Sequence, residues 1–324
     1  MTASAGAGEM KSLLDRAEDY AGRGDARSAM SFYQAALKQA QGKPDIHPQL
    51  LPRLQRGQEF IGKAIAAFRE ALERAVDENR PHDPVGAMRV SHALSMLKGE
   101  RQVYLQEPSV LYYPYLAQRQ YFEREEFDWV PALEAATADI RDELRAVLQE
   151  GADFRPYVEN DPDRPAGDFA GLNENPAWTA LYLWRNGMIV EDNARRCPRT
   201  MAALEKVPLS QIGGRTPAVL FSRLEPGAHI PPHNGMLNCR LICHLPLIVP
   251  KGCWLRVGNE KREWEEGKLL MFDDSFEHEA MNPTSELRII LLFDVWRPEL
   301  GPGERSAISA IFDAIDQFQG LPDA

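Results

Sequence analysis

Nowhere in the chain is there an uninterrupted apolar run of the roughly 18 residues that a membrane-spanning helix needs. The stretch MTASAGAGEMKSLLDRAEDYAGRGD has neither the basic start nor the apolar core of a secretory signal, so a cytoplasmic location is expected. Basic charge is also short: 37 Lys and Arg stand against 48 Asp and Glu, a net charge of −11. Such a balance argues against nucleic acid or an anionic membrane surface as a partner, because both select basic surfaces. Cysteine is scarce as well. Cys197, Cys239, Cys243 and Cys253 form no Cys-x-x-Cys pair, and Cys239-x-x-x-Cys243 has no further ligands nearby to complete a zinc site. They read as small hydrophobes on strands.

What the sequence does contain is an abrupt change of texture. EMKSLLDRAEDYAG places Met10, Leu13, Leu14, Ala17 and Tyr20 at helical spacing, Gly24 breaks the pattern, and ARSAMSFYQAALKQAQG resumes it with Ala29, Phe32, Tyr33 and Leu37. Helix, glycine turn and helix resemble one tetratricopeptide repeat, although stable arrays need about three units, so a plain helical bundle is the alternative. Helical character continues to about residue 76, residues 77–86 read as a loop, and AMRVSHALSMLKGE reads as one more helix. A helical region over 1–104 is therefore expected, followed by a different domain over 105–324. That second part opens with an aromatic, irregular stretch. VPALEAATADIRDELRAVLQE follows as one amphipathic helix, and residues 151–176 read as a long Pro/Gly/Asp-rich loop. Beyond it, short strands dominate. NCRLICHLPLIVP alternates, with Cys239, Leu241, Cys243, Leu245 and Leu247 on one face and Arg240, Ile242 and His244 on the other. CWLRVGNEKREW signals a hairpin at Gly258-Asn259. The pattern predicts an α+β chain whose second half is a double sheet of jelly-roll or cupin type.

Two histidines, His233 and His278, each lie beside a predicted strand in well-separated stretches. A non-haem Fe(II) centre commonly uses two His and one carboxylate on one face of the metal, leaving the other face open. The carboxylate would commonly sit two residues after the first His, where this chain has Gly235. On spacing alone, two histidines in a β domain more often satisfy local hydrogen bonds than bind metal. Arg288 adds to the case, because it interrupts ELRIILLFDVW, a strand apolar on both faces, and a guanidinium there needs an anion. That anion could be an internal carboxylate such as Asp294 or a ligand carboxylate gripped bidentately. Arg240 and His244, on one face of another strand, could add donors to the same anion. His229 is separated from His233 by two prolines, so the two form no helical pair, and it reads as structural.

FSRLEPGAHIPPHNGMLNCRLICHLPLIVP together with GCWLRVGNEKREWEEGKLLMFDDSFEHEAMNPTSELRIILLFDVWRPEL resembles the catalytic domain of the aspartyl/asparaginyl β-hydroxylase family. The resemblance begins near YYPYLAQRQYFEREEFDWV and runs to about residue 300. It implies a double-stranded β-helix, Fe(II), 2-oxoglutarate and O2, with a helical tetratricopeptide-like region before it. It also implies two His ligands only, His233 and His278, with glycine where the acid would be. Trp178, Ser222, His244 and Arg288 would contact 2-oxoglutarate. Members often carry Arg two residues before the His at 244, where this chain has Ile242, so one donor to the cosubstrate is missing. Asp274 is assigned to a water on the metal, against the alternative that Asp273 and Asp274 only shape a turn. The activity so implied is hydroxylation of an unactivated carbon, foremost the β-carbon of Asp or Asn in a peptide or carrier-bound amino acid. The alternatives are a lipid A acyl-chain hydroxylase of the same family, and a non-catalytic scaffold whose oxygenase domain has degenerated. The N-terminal helices would present substrate or dock a protein partner.

Overall fold

The computed structural model describes residues 2–159 and 173–318, with side chains from residue 8 onward. The central part of the expected 151–176 loop lies outside the described residues. The chain divides into two compact units, Met1–Gln102 and Val103–Ala324.

The first unit is helical: α1 (Thr2–Gly22), α2 (Ala26–Ala40), α3 (Leu51–Glu78) and α4 (Pro84–Leu97). Gly24 takes φ +79°, which lets α1 reverse tightly into α2, and the Asp25 side chain caps α2 by accepting from the Ser28 amide. Met10, Leu14 and Ala17 pack on Ala29, Tyr33 and Ala36, with Leu50 and Leu54 closing the cluster. Gly57 is needed because a Cβ there would stand 2.5 Å from the Tyr33 ring. Burial stops soon after: Leu54 and Gly57 are the buried residues of α3, and α4 has none. One packed helical hairpin is thus covered by the first turns of α3. The expected 77–86 loop is shorter than it reads, because Asp83 caps α4 and Pro84 begins it.

The second unit contains β1 (Tyr121–Phe122), α5 (Val130–Ala135), α6 (Thr137–Gln149), β2 (Arg155–Pro156), β3 (Trp178–Arg185), β4 (Met188–Ile189), α7 (Glu191–Ala194) and α8 (Pro198–Leu204). Then come β5 (Val219–Leu224), β6 (His229–His233), β7 (Arg240–Ile248), β8 (Trp254–Val257), β9 (Glu260–Glu263), β10 (Leu270–Phe272), β11 (His278–Met281), β12 (Arg288–Trp296) and α9 (Pro302–Gln317). The single amphipathic helix expected over 130–150 is two. The chain breaks at Ala136, and the Thr137 hydroxyl donates back to the Glu134 carbonyl at 2.6 Å, a competing local bond for a β-branched residue.

The strands form two antiparallel sheets, a large one ordered β1-β10-β7-β12-β5-β3-β2 with β4 beside β3, and a small one ordered β6-β11-β8-β9. This is the jelly-roll double sheet that the strand pattern predicts. All nine residues of β12 are buried, as suits a central strand covered on both faces. The alternation on β7 sorts the two faces. Leu241, Cys243, Leu245 and Leu247 join the cluster that packs under α5 and α6, while Ile242 faces the interior between the sheets with Phe272, Ile290 and Leu292. The site residues share this interior face.

Candidate metal and anion site

β6 and β11 are neighbours, and their register sets His233 directly opposite His278. The two imidazoles lie 4.1 Å apart, centroid to centroid. Each Nδ1 bonds a backbone carbonyl two residues upstream, His233 to Pro231 at 2.8 Å and His278 to Phe276 at 3.0 Å. Since a carbonyl can only accept, both rings carry the proton on Nδ1 and present a bare Nε2 lone pair. This is the outer bond that metal-bound histidines characteristically make. Burial, then the neighbouring His233, push the His278 pKa down to about 3, and burial also lowers that of His233. Both rings are therefore neutral and ready to ligate without losing a proton.

Gly235 has a reason that its position in the sequence does not show. Its backbone φ is ordinary, yet a Cβ there would lie 2.0 Å from Asp274 Oδ2 and 2.2 Å from its Cγ. The Asp274 carboxyl thus fills the space a side chain at 235 would take. The Gly235 amide donates to the Asp274 carbonyl at 2.6 Å, which holds the two loops together. Asp274 Oδ2 accepts from Arg240 Nη2 at 3.2 Å, whereas Oδ1 is buried with no hydrogen-bond partner. An orphaned buried acceptor beside two bare imidazole nitrogens fits a water held on a metal ion. Among the described residues no group of three or more His, Cys, Asp or Glu side chains is gathered to hold a metal by itself. The residues that could hold a metal here are therefore the two imidazoles, with Asp274 placed to act through solvent. Asp273 plays a different part: its Oδ1 accepts from the Ser275 amide and hydroxyl in an Asx turn, and its Oδ2 pairs with buried Arg297 at 2.7 Å.

The second half of the site surrounds Arg288. This side chain is 1% exposed, and its Nε is buried without a partner. Its guanidinium lies 4.3 Å from the centroid of the Trp264 ring and reaches the Ser222 hydroxyl at 3.4 Å. Burial draws its pKa down to about 9. Asp294, the internal partner considered for it, is spoken for elsewhere: it accepts from Arg240, from Ser210 and from the Ala218 amide. Trp178 Nε1 also donates to Ser222 Oγ, at 3.1 Å. With two N–H donors aimed at its oxygen, Ser222 has its own proton left to give, and Arg288 has donors left over. His244 stands by with a buried, unpartnered Nδ1. Burial, and after it Arg288, hold its imidazole neutral.

Arg240 is not part of that anion pocket. In register it opposes Trp296, eight residues along β12 from Arg288. At about 3.3 Å per residue that is about 26 Å of strand. Burial works against its charge, but Asp274 and Asp294 outweigh it and keep it firmly protonated. The expectation that Arg240 joins Arg288 on one anion is therefore corrected: its Nη1 and Nη2 serve the chain's own carboxylates, and it buttresses the Asp274 end. Ile242 is 7% exposed and lies opposite Asp294 and Phe272, an apolar side chain nearer the Arg240 end than the Arg288 end. His229 bonds Glu279 at 2.7 Å, away from the pair at 233 and 278. Tyr157, within the stretch expected to be loop, lies across from Trp178 and stacks on it.

The family model described as aspartyl/asparaginyl beta-hydroxylase matches residues 134–298. Human aspartyl/asparaginyl beta-hydroxylase is 41% identical over 184 residues, which is 56% of this chain and 23% of that protein. The ornithine lipid ester-linked acyl 2-hydroxylase of Rhizobium tropici is 36% identical over 179 residues, 54% of this chain and 60% of that protein. The aspartate beta-hydroxylase domain-containing protein 2 of Xenopus tropicalis is 32% identical over 212 residues, 64% of this chain and 55% of that protein. This chain thus spans under a quarter of the human relative and less than two thirds of the other two. The matched segment holds His233, His278, Asp274 and Arg288 in the arrangement described, and the chain belongs to the aspartyl/asparaginyl β-hydroxylase family.

Proposed function

We propose that the chain is an Fe(II)- and 2-oxoglutarate-dependent hydroxylase acting on the β-carbon of an Asp or Asn residue, in a peptide or a carrier-bound amino acid. The observation that carries this reading is Arg288, a fully buried guanidinium for which no described carboxylate is available. A buried charge left so is costly, and the chain tolerates it in exchange for an external anion. Arg288 would hold the distal carboxylate of 2-oxoglutarate through its planar fork, with the Ser222 hydroxyl donating beside it and Trp178 fixing the orientation of Ser222. His233 and His278 would hold the iron. Bound iron and cosubstrate together supply the oxidising chemistry that replaces an unactivated C–H by C–OH, with O2 consumed and succinate and CO2 released. The chain's own part is positional. Asp274 would accept a hydrogen bond from a water on the metal and so orient it. His233 is half-buried whereas Arg288 is 1% exposed, so the anion-binding end would lie deeper than the metal-binding end. The helical region 1–104 would present substrate or dock a partner protein.

A second reading, acyl-chain hydroxylation, is favoured by one observation: the chain's similarity to a relative named for an acyl 2-hydroxylase, alongside the apolar Ile242 on the site's inner wall. No helix among the described residues is long and apolar enough to cross a membrane. The experiment is anaerobic addition of Fe(II) and 2-oxoglutarate to wild type and to Arg288→Gln. A visible charge-transfer band in the first and its loss in the second are expected, with succinate formed on admitting O2. No band and no succinate in wild type would remove the enzymatic reading. A search of lysates for products heavier by one oxygen then separates peptide, amino-acid and lipid substrates.

A further inference from the structure

Tyr157 is a residue the mechanism above does not use, yet it touches one that it does. It follows β2 directly, and its amide donates to the Trp178 carbonyl at 3.0 Å, which places the two residues side by side across the strand edge. Their side chains lie on the same, interior face. The rings stack with centroids 4.0 Å apart and planes 14° from parallel. The other neighbours of Trp178 are specific. Its indole N–H donates to Ser222 Oγ at 3.1 Å, and its ring centroid lies 6.3 Å from that of His233. Trp178 is 7% exposed and Tyr157 is half-buried, and both belong to the apolar cluster between the sheets.

We infer that Tyr157 is a positioning residue for the anion pocket: its ring clamps Trp178 so that the indole N–H is aimed at Ser222, which in turn stands beside Arg288. The physical case rests on the freedom a tryptophan has. Its χ2 torsion is broad, so the indole can swing unless something packs against its face. One face of Trp178 is held by the stack. A swing of the indole breaks the bond to Ser222 Oγ and frees that hydroxyl to turn its own proton away from the ligand. The ring, not the phenol oxygen, carries this role, since the contact is face to face. Stacked aromatic pairs contribute enough beyond burial to change an equilibrium roughly three- to tenfold. The inference rests on the reading of Trp178, Ser222 and Arg288 as the 2-oxoglutarate pocket.

The test is titration calorimetry of the full chain loaded with Mn(II), which is inert to O2 on this timescale, using 2-oxoglutarate as titrant. Tyr157→Leu is expected to bind 2-oxoglutarate three- to tenfold more weakly than wild type. Tyr157→Phe, which keeps the ring, is expected to stay within twofold, and Mn(II) affinity measured alone is expected to be unchanged in both. Arg288→Gln serves as the reference for the pocket itself and is expected to abolish the binding heat. If Tyr157→Leu binds as wild type does while Arg288→Gln fails, the clamp is refuted and the pocket stands. If neither variant changes the affinity, the pocket reading falls and the clamp falls with it. Equal weakening in Leu and Phe would assign the effect to the hydroxyl and overturn the inference. So would parallel loss of Mn(II) and 2-oxoglutarate binding in Tyr157→Leu, which marks a general loss of structure.

Discussion

Replacing Gly235 by alanine adds one methyl group, and the structure makes the consequence large. The new Cβ would sit 2.0 Å from Asp274 Oδ2, 2.2 Å from Cγ and 2.7 Å from Oδ1. Ordinary contact begins more than an ångström farther out, so the carboxyl must move. It has little room, since the loops are joined at the Gly235 amide and Asp274 is buried. Overpacking of this kind costs about 1–3 kcal/mol. Moving the carboxylate also gives up its bond to Arg240, worth about 1.5–3 kcal/mol for a charged hydrogen bond, partly offset because Arg240 keeps Asp294. A total of about 3 kcal/mol is expected. For a unit of this size each kcal/mol shifts the melting temperature by about 2–4 °C, so Gly235→Ala should melt about 6–12 °C below wild type. All six tryptophans, at 129, 178, 184, 254, 264 and 296, lie in the second unit, so tryptophan fluorescence of the metal-free protein reads that unit alone. The decisive comparison is a double-mutant cycle. Asp274→Ala removes the obstacle, so Gly235→Ala/Asp274→Ala should melt no lower than Asp274→Ala itself. If the two substitutions add within about 0.5 kcal/mol, Gly235 is not there to make room for Asp274 and the reasoning is wrong.

Two further outcomes are expected from the same geometry. Arg288→Met should leave the cosubstrate-free protein as stable as wild type or more so, by about 1–4 kcal/mol, because an uncompensated buried cation gives way to an apolar side chain of similar length. A drop in melting temperature would mean that the Trp264 ring and the Ser222 hydroxyl already compensate the charge without an external anion. Metal binding should be unusually tolerant of acid. Two ordinary imidazoles with pKa near 6.5 would each lose about tenfold in the neutral form between pH 7.5 and 5.5, about a hundredfold together. Here burial lowers both pKa values, that of His278 to about 3, so Mn(II) affinity should fall less than tenfold over that interval. The sign is fixed. A histidine depressed in the folded state takes up no proton there, whereas the unfolded chain does below about pH 6.5, so acid weakens the fold before it weakens the ligands. A hundredfold loss of Mn(II) would refute the neutral pair.

Much of the β unit was legible because alternation on a strand reports its two faces directly. NCRLICHLPLIVP sorted Leu241, Cys243, Leu245 and Leu247 from Ile242 and His244 as the sheets do. What alternation cannot report is distance along the face. Arg240 and Arg288 share an interior surface but stand at opposite ends of β12, and only the register separates them. The same limit hid the partner of Asp294, since any cation on that face was a candidate until the pairing with Arg240 was seen. Gly235 raised the right question, but its answer lies 39 positions away in a carboxyl group that occupies its missing side chain's space. Tyr157 is not legible in the sequence, because a Pro-rich loop carries no periodicity and the short pairing of β2 with β3 leaves no signal. The break at Ala136 escaped for a related reason: the apolar stripe runs on through two helices, and the bond from Thr137 that parts them is local.

The space shared by Gly235 and Asp274 also bears on how such a site can change over generations. Glycine and aspartate codons differ by a single nucleotide, so a carboxylate at position 235 is never far away in mutational terms. Yet the first step toward it meets a carboxyl group already in place. A lineage would have to lose the Asp274 carboxyl, and with it the bond to Arg240, before an acid at 235 could be accommodated. The intermediate carries neither acid. A pair of imidazoles at 233 and 278 with glycine at 235 would thereby be separated from a three-ligand set by a valley rather than a slope.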